Sequence, residues 1–210
     1  MEKPRPISRC RALTETEYRA MMRASDLVVK PLLFALWETG CRPKEARTLR
    51  WENVREEKWV LAKQKTIRST GKSRVIYLTA PMRKMMDVRR RKRTSEYMFL
   101  NEDGKPWTAN ALRLRVHRLK EKLGLADDVC VYRARHAFGT RSILKGNDVL
   151  TTAVLMGHSS LDMVSSVYVH LANEQTHLLN AVGQEVDGAD AAAGDGAAAL
   201  RACPIIRAAR

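Results

Sequence analysis

Residues 131–160 read VYRARHAFGTRSILKGNDVLTTAVLMGHSS, and the fold turns on how this stretch is parsed. After Gly124 a loop leads into a helix formed by VYRARHAFGTRSILKG. A second helix is predicted from Asp148 to Met156, with Gly157 as its stop, because a glycine just past the last turn enters the left-handed region without steric cost. In the first helix Tyr132 and Arg135 stand three apart and so share a face. That face lies near a helix N-terminus, where backbone N–H groups point at an anion. His136, four residues from Tyr132, reads as a packed, hydrogen-bonded histidine. His158 follows the Gly157 stop directly, and Tyr168 comes ten residues later in VYVHL.

On the N-terminal side, Thr14 precedes Glu17 by three, a capping-box pattern that opens a helix running to about Ala24. Pro31 opens PLLFALWETG, with Gly40 as its stop, and Pro43 can start a third helix carrying Glu45, Ala46 and Leu49. Character changes at 58–78: KWVLA, KTIRSTGKSR and RVIYL read as short strands around a glycine-containing turn. From Thr79 a helix bearing Met82, Met85, Met86 and Val88 runs into the basic tract RRRKR. Thr108 can cap another helix, with Leu112, Val116, Leu119 and Leu123 on one face. Its opposite face would carry Arg113, Arg115, Arg118, Lys120 and Lys122. A last helix is expected over 173–182. The elements describe a mainly α chain with a small antiparallel β-sheet, an α+β class. Residues 1–12 are expected to form a basic arm, 13–182 the folded domain, and the Ala/Gly/Asp-rich 183–210 a disordered tail.

Charge narrows the partner. The 210 residues hold 38 Lys plus Arg against 23 Asp plus Glu, a formal net charge of +15, and the tail carries none of the excess. Such a balance favours a polyanion, nucleic acid before membrane. Cys10, Cys41, Cys130 and Cys203 form no CxxC pair, which argues against zinc and against a disulfide framework. Reduced cysteines, the lack of a membrane-length apolar run and an N-terminus without a signal-peptide core point to the cytoplasm.

Four segments carry groups suited to phosphate chemistry. Arg42, in TGCRPKEA, sits between a helix end and a helix start, where a planar guanidinium fork can face two phosphate oxygens. The hairpin brings Lys63, Lys65, Lys72 and Arg74. A lysine pKa near 10.4 suits protonation of an alkoxide leaving group, although for any one of these lysines a phosphate contact without catalysis is the favoured reading. YRARH supplies Arg135. The last segment supplies His158 and Tyr168, whose phenol needs nearby cations or a base to become a nucleophile. Each of these residues alone has an ordinary surface or core explanation.

Taken in order, TGCRP…E, KT…TGKSRVIYL, ARHAFGT, LMGHSS and VYVHL resemble the tyrosine recombinase or phage integrase family over about residues 12–180. The resemblance implies that family's catalytic-domain fold. It assigns Arg42 and Arg135 to the scissile phosphate, a hairpin lysine (Lys65, with Lys72 as the alternative) to the general acid, His158 to the histidine of the GH motif and Tyr168 to the nucleophile. Lys72, Arg74 and Tyr132 are expected as phosphate or DNA contacts. Family members often place a histidine three residues before the second arginine. Tyr132 stands there instead, and a phenol cannot act as a base at neutral pH as an imidazole can.

The implied activity is that of a site-specific recombinase or integrase of a mobile element. It cuts and rejoins double-stranded DNA through a 3′-phosphotyrosyl intermediate, as a homo-oligomer on DNA, with no metal or other cofactor. Members usually carry a core-binding domain ahead of the catalytic domain, whereas about a dozen residues precede the match here. The alternative is a catalytically weak or inactive DNA-binding remnant. A topoisomerase-like nicking and resealing enzyme would share the chemistry.

Overall fold

The computed structural model describes residues 12–61 and 73–158. The basic arm, most of the segment KTIRSTGKSR with Lys63, Lys65 and Lys72, Tyr168, the helix expected over 173–182 and the tail lie outside the described residues.

Helix α1, Glu15–Ala24, opens on the expected capping box: Thr14 Oγ1 accepts from the Glu17 backbone N–H, and the Glu17 carboxylate accepts from the Thr14 backbone N–H. Its successor α2, Lys30–Thr39, starts without a side-chain cap of its own. Instead, the Asp26 carboxylate accepts from the backbone N–H of Val28 and of Val29, both at 2.8 Å. Helix α2 is apolar on most sides, and Leu32, Leu33, Ala35, Leu36 and Trp37 are all buried. Such a helix needs neighbours all round, and it touches α1, the short α3 (Pro43–Arg47), α4 (Ala80–Arg91) and α6 (Arg133–Leu144). It ends where expected, on Gly40 at φ +60°.

Strands β1, Lys58–Leu61, and β2, Arg74–Tyr77, pair antiparallel with Trp59 opposite Ile76 and Leu61 opposite Arg74. Trp59 and Ile76 are fully buried, and the Trp59 indole N–H donates to the Met86 sulfur of α4 at 3.3 Å. In α4 only the i, i+4 pair Met82 and Met86 is buried. Val88, expected with them, is 56% exposed, because two residues past Met86 lies on the far side of a 3.6-residue turn. Helix α5, Ala109–Lys122, is capped by Thr108 and buries Leu112, Val116 and Leu119 as its spacing predicts. Lys120 departs from that pattern: it is buried, its stem against the core and its ammonium donating to the Asp127 carboxylate at 3.0 Å.

Helix α7, Val149–Met156, capped by Asp148 and terminated by Gly157 at φ +69°, packs on α6 and on β2. The architecture is thus mainly helical around α2, with one antiparallel hairpin. No described helix is long and apolar enough to cross a membrane.

Candidate functional site

Two helices, α2 and α7, end on left-handed glycines, and their ends face each other across Arg135 of α6. The Arg135 side chain is 1% exposed; it donates from Nη1 to the Gly40 carbonyl at 2.6 Å and from Nη2 to the Met156 carbonyl at 2.7 Å. Neither glycine tolerates a side chain. A Cβ on Gly40 would stand 2.4 Å from the Phe138 ring, and one on Gly157 would stand 2.5 Å from the Arg74 guanidinium carbon.

Arg42 follows in the turn between α2 and α3. Its Nη2 donates to the Gly157 carbonyl at 2.9 Å, and its Nη1 to the Glu45 carboxylate at 2.9 Å. The Glu45 carboxylate, 1% exposed, also accepts from the Arg42 backbone N–H at 2.8 Å and lies 3.8 Å from Arg74 Nε. Arg74 enters from β2. Its Nη2 donates to the Leu155 carbonyl at 2.8 Å, and its Nη1 to Val154 at 3.3 Å and to Val75 at 2.8 Å. Three guanidiniums therefore take the four consecutive carbonyls 154–157 at the C-terminus of α7. The Val154 carbonyl also accepts from the Gly157 backbone N–H at 3.0 Å. Carbonyls at a helix C-terminus carry the negative end of the helix dipole, which makes them good acceptors for cations.

His158 leaves the same turn, its backbone N–H returning to the Ala153 carbonyl at 3.0 Å. Among the described residues neither ring nitrogen has a hydrogen-bond partner, and both are shielded from solvent. Burial, followed by the fields of Arg135, Arg42, Arg74 and His136, pushes the imidazole pKa down to about 4. The ring is neutral at physiological pH, with one nitrogen able to donate and the other to accept. Arg135 is shifted downward by burial and then by Arg42. Arg74 is brought to about 10, by burial first, with Glu45 opposing, and so remains a cation at neutral pH. Cys41 lies fully buried beside them, its thiol pushed up to about 12 by burial, and so is inert as a nucleophile.

Of the residues singled out in the sequence, Arg42, Arg74, Arg135 and His158 meet at the end of α7. Tyr132 is the N-cap of α6 and 37% exposed, with its ring edge-on to His136 at 5.2 Å. His136 is half-buried, in keeping with a packed histidine. Lys65, Lys72 and Tyr168 lie outside the described residues. Sequence reasoning missed the part taken by Glu45. Its signal was present in the spacing: an acid three residues after Arg42, at the start of a proline-initiated helix, is placed to reach back to the residue that opens the turn.

Comparison with known proteins gives a consistent answer. The sequence profile of the Phage integrase family matches residues 11–175. Tyrosine recombinase XerD of Corynebacterium glutamicum is 30% identical over 156 residues, covering 70% of this chain and 49% of the relative. Tyrosine recombinase XerC of Roseiflexus castenholzii is 27% identical over 158 residues, with 70% and 49% covered. The chain thus spans about half the length of these curated relatives. Among solved structures, XerA recombinase superposes with a TM-score of 0.67 at 20% identity, covering 87% of this chain and 66% of that one. A lambda integrase dimer bound to a COC' core site gives 0.62 at 16%, covering 86% and 51%. The Tn1549 transposon integrase in complex with a circular intermediate DNA gives 0.64 at 18%, covering 79% and 62%. These likenesses carry the fold, and the profile match, running through Arg42, Arg135 and the Gly157–His158 turn, carries the membership: the chain belongs to the phage integrase family.

Proposed function

We propose that this chain is the catalytic part of a site-specific recombinase that cleaves and rejoins double-stranded DNA through a 3′-phosphotyrosyl intermediate at Tyr168. The observation that supports this reading most is the charge balance at the end of α7. Arg42, Arg74 and Arg135 converge there with one buried carboxylate, Glu45, among the described residues. Two positive charges are left over beside a neutral His158. Unbalanced buried charge is costly, and an incoming phosphodiester would offset it.

In the proposed reaction the Tyr168 oxygen bonds to phosphorus and the phosphorus–O5′ bond breaks. The phenol proton leaves to a base, and the departing O5′ takes a proton from Lys65, or from Lys72. Attack by a second 5′-hydroxyl reverses both steps, so bond energy is retained without ATP. Arg42 and Arg135 each have guanidinium N–H groups beyond those given to carbonyls. Those groups are available to the nonbridging oxygens, where charge accumulates in the transition state. Each preorganised donor of this kind is worth about 2.7–4 kcal/mol. The complexes of the Tn1549 integrase with DNA and the lambda integrase dimer support DNA and a second copy of the chain as partners. The strongly basic composition supports DNA further.

A nicked suicide duplex tests the proposal. Cleavage next to the nick releases a short fragment and strands the protein on DNA, so wild type should give a denaturation-resistant protein–DNA band. Tyr168→Phe should give none while still shifting the same DNA in a native gel. A covalent band that persists in Tyr168→Phe would end the assignment of the nucleophile. Plasmid relaxation without strand exchange would favour a nicking and resealing enzyme.

A further inference from the structure

We infer that Arg74 is a positioning residue, which ties the hairpin to the Gly157–His158 turn and holds that turn in place, rather than a contact to DNA. The inference deepens the recombinase reading and rests on it for the consequence in cleavage. Three observations carry it.

The side chain spans from β2 to the end of α7, with its Nε 3.8 Å from the Glu45 carboxylate, so it bridges two elements of the fold. Its η nitrogens are already engaged with the carbonyls of Val154, Leu155 and Val75. The guanidinium also packs so closely on Gly157 that even a methyl there would collide with three of its atoms. Arg74 is thereby the backstop against which the left-handed Gly157 turn is seated. Its partner across the hairpin is Leu61, so the same residue is anchored in β2 at the end of the described ladder.

The route of action is mechanical and electrostatic together. Arg74 fixes the last carbonyls of α7, and α7 ends on the turn from which His158 projects. Arg42 and Arg135 hold the neighbouring carbonyls of the same turn. If Arg74 lets go, the turn loses its backstop and His158 loses one of the cations facing it. The other charged or titratable groups facing His158 are Arg42 from the α2–α3 turn and Arg135 and His136 from α6, with Glu45 holding Arg42 and Arg74.

The test uses the full chain as wild type, Arg74→Met and Arg74→Lys, with Gly157→Ala pressing on the same contact from the other side. Three quantities are read. The first is the titration of the His158 ring by NMR, assigned with His158→Gln. The second is the single-turnover cleavage rate of the suicide duplex at saturating DNA. The third is the salt slope of DNA affinity. In Arg74→Met the His158 midpoint should rise toward its ordinary value. Cleavage should slow about 100-fold, the scale of a 1 Å misplacement, and the salt slope should be unchanged. Arg74→Lys should recover part of the rate, because a lysine retains the charge and can reach one carbonyl. Gly157→Ala should repeat the His158 shift even if Arg74→Met proves too unstable to study.

A salt slope that falls by about 0.9, with His158 and the saturated rate unmoved, would identify a lost phosphate contact and overturn the inference. Loss of thermal stability with an unchanged His158 titration and an unchanged rate would overturn it too, since Arg74 would then only support the fold. If wild type forms no covalent complex yet Arg74→Met still shifts His158, the recombinase reading fails and the positioning role stands.

Discussion

Replacing Gly40 by alanine tests how closely α2 and α6 are fitted together. Gly40 sits at φ +60°, where an added Cβ costs about 1–2 kcal/mol from the backbone alone. The new methyl would also lie 2.4 and 2.5 Å from two ring carbons of Phe138 and 3.0 Å from its Cβ. A ring can swing aside, but a Cβ moves only with its helix, so α6 itself must shift. Forced overpacking of this kind costs about 1–3 kcal/mol, bringing the total to about 2–5 kcal/mol. Gly124 supplies the control. It has φ +61° and nothing within 4 Å of where a methyl would stand, so Gly124→Ala should cost the backbone term only, about 1–2 kcal/mol. Equilibrium urea unfolding followed by circular dichroism separates the two. With an m-value of about 2 kcal/mol per molar, Gly40→Ala should move the midpoint down by about 1–2.5 M and Gly124→Ala by about 0.5–1 M. Equal midpoints for the two variants would refute the collision, and with it the close apposition of the two helices on which the Arg135 contact to Gly40 depends.

Other perturbations probe other parts of the molecule. Between the ordinary histidine pKa of 6.5 and the folded value of about 4, the unfolded chain binds a proton that the folded His158 site refuses. Stability should therefore fall as pH drops through that window, and His158→Gln should flatten the decline in pH-dependent melting; an identical slope in the variant would contradict it. Thr14→Ala removes the α1 capping box and should cost about 1 kcal/mol in urea unfolding, with no change telling against that cap's contribution. If Lys65 is the general acid, Lys65→Ala should slow a normal substrate far more than one with a 5′-thiolate leaving group, which departs with little help. Rescue by the thiolate in Lys72→Ala instead would transfer the role to Lys72.

Much of the helical layout was legible because local chemistry writes it. Thr14, Thr79, Thr108 and Asp148 each cap the helix that follows, and Gly40 and Gly157 each stop one. Lys120 was misjudged on α5 for a different reason. A charged residue next to an apolar stripe reads as exposed until the loop bearing Asp127 folds over it. Arg42, Arg135 and His158 became legible only through a family resemblance, since each alone looks ordinary. What they hold was not legible at all. Arg42 reaches Gly157 across 115 residues and Arg135 reaches Gly40 across 95, and no local pattern encodes contacts at that separation.

The grip on α7 also bears on how this protein can change. Every described acceptor at 154–157 is a main-chain oxygen, which no substitution can delete. The exposed side chain at Val154 can drift while the carbonyls stay where the helix puts them. The requirement for particular residue types falls on the donors and on Gly157, the one acceptor position whose conformation and contact with Arg74 leave no room for a side chain. An inventory of tolerated substitutions across α7 should accordingly be permissive at its exposed positions, Leu150 and Val154, and abruptly strict at its last step.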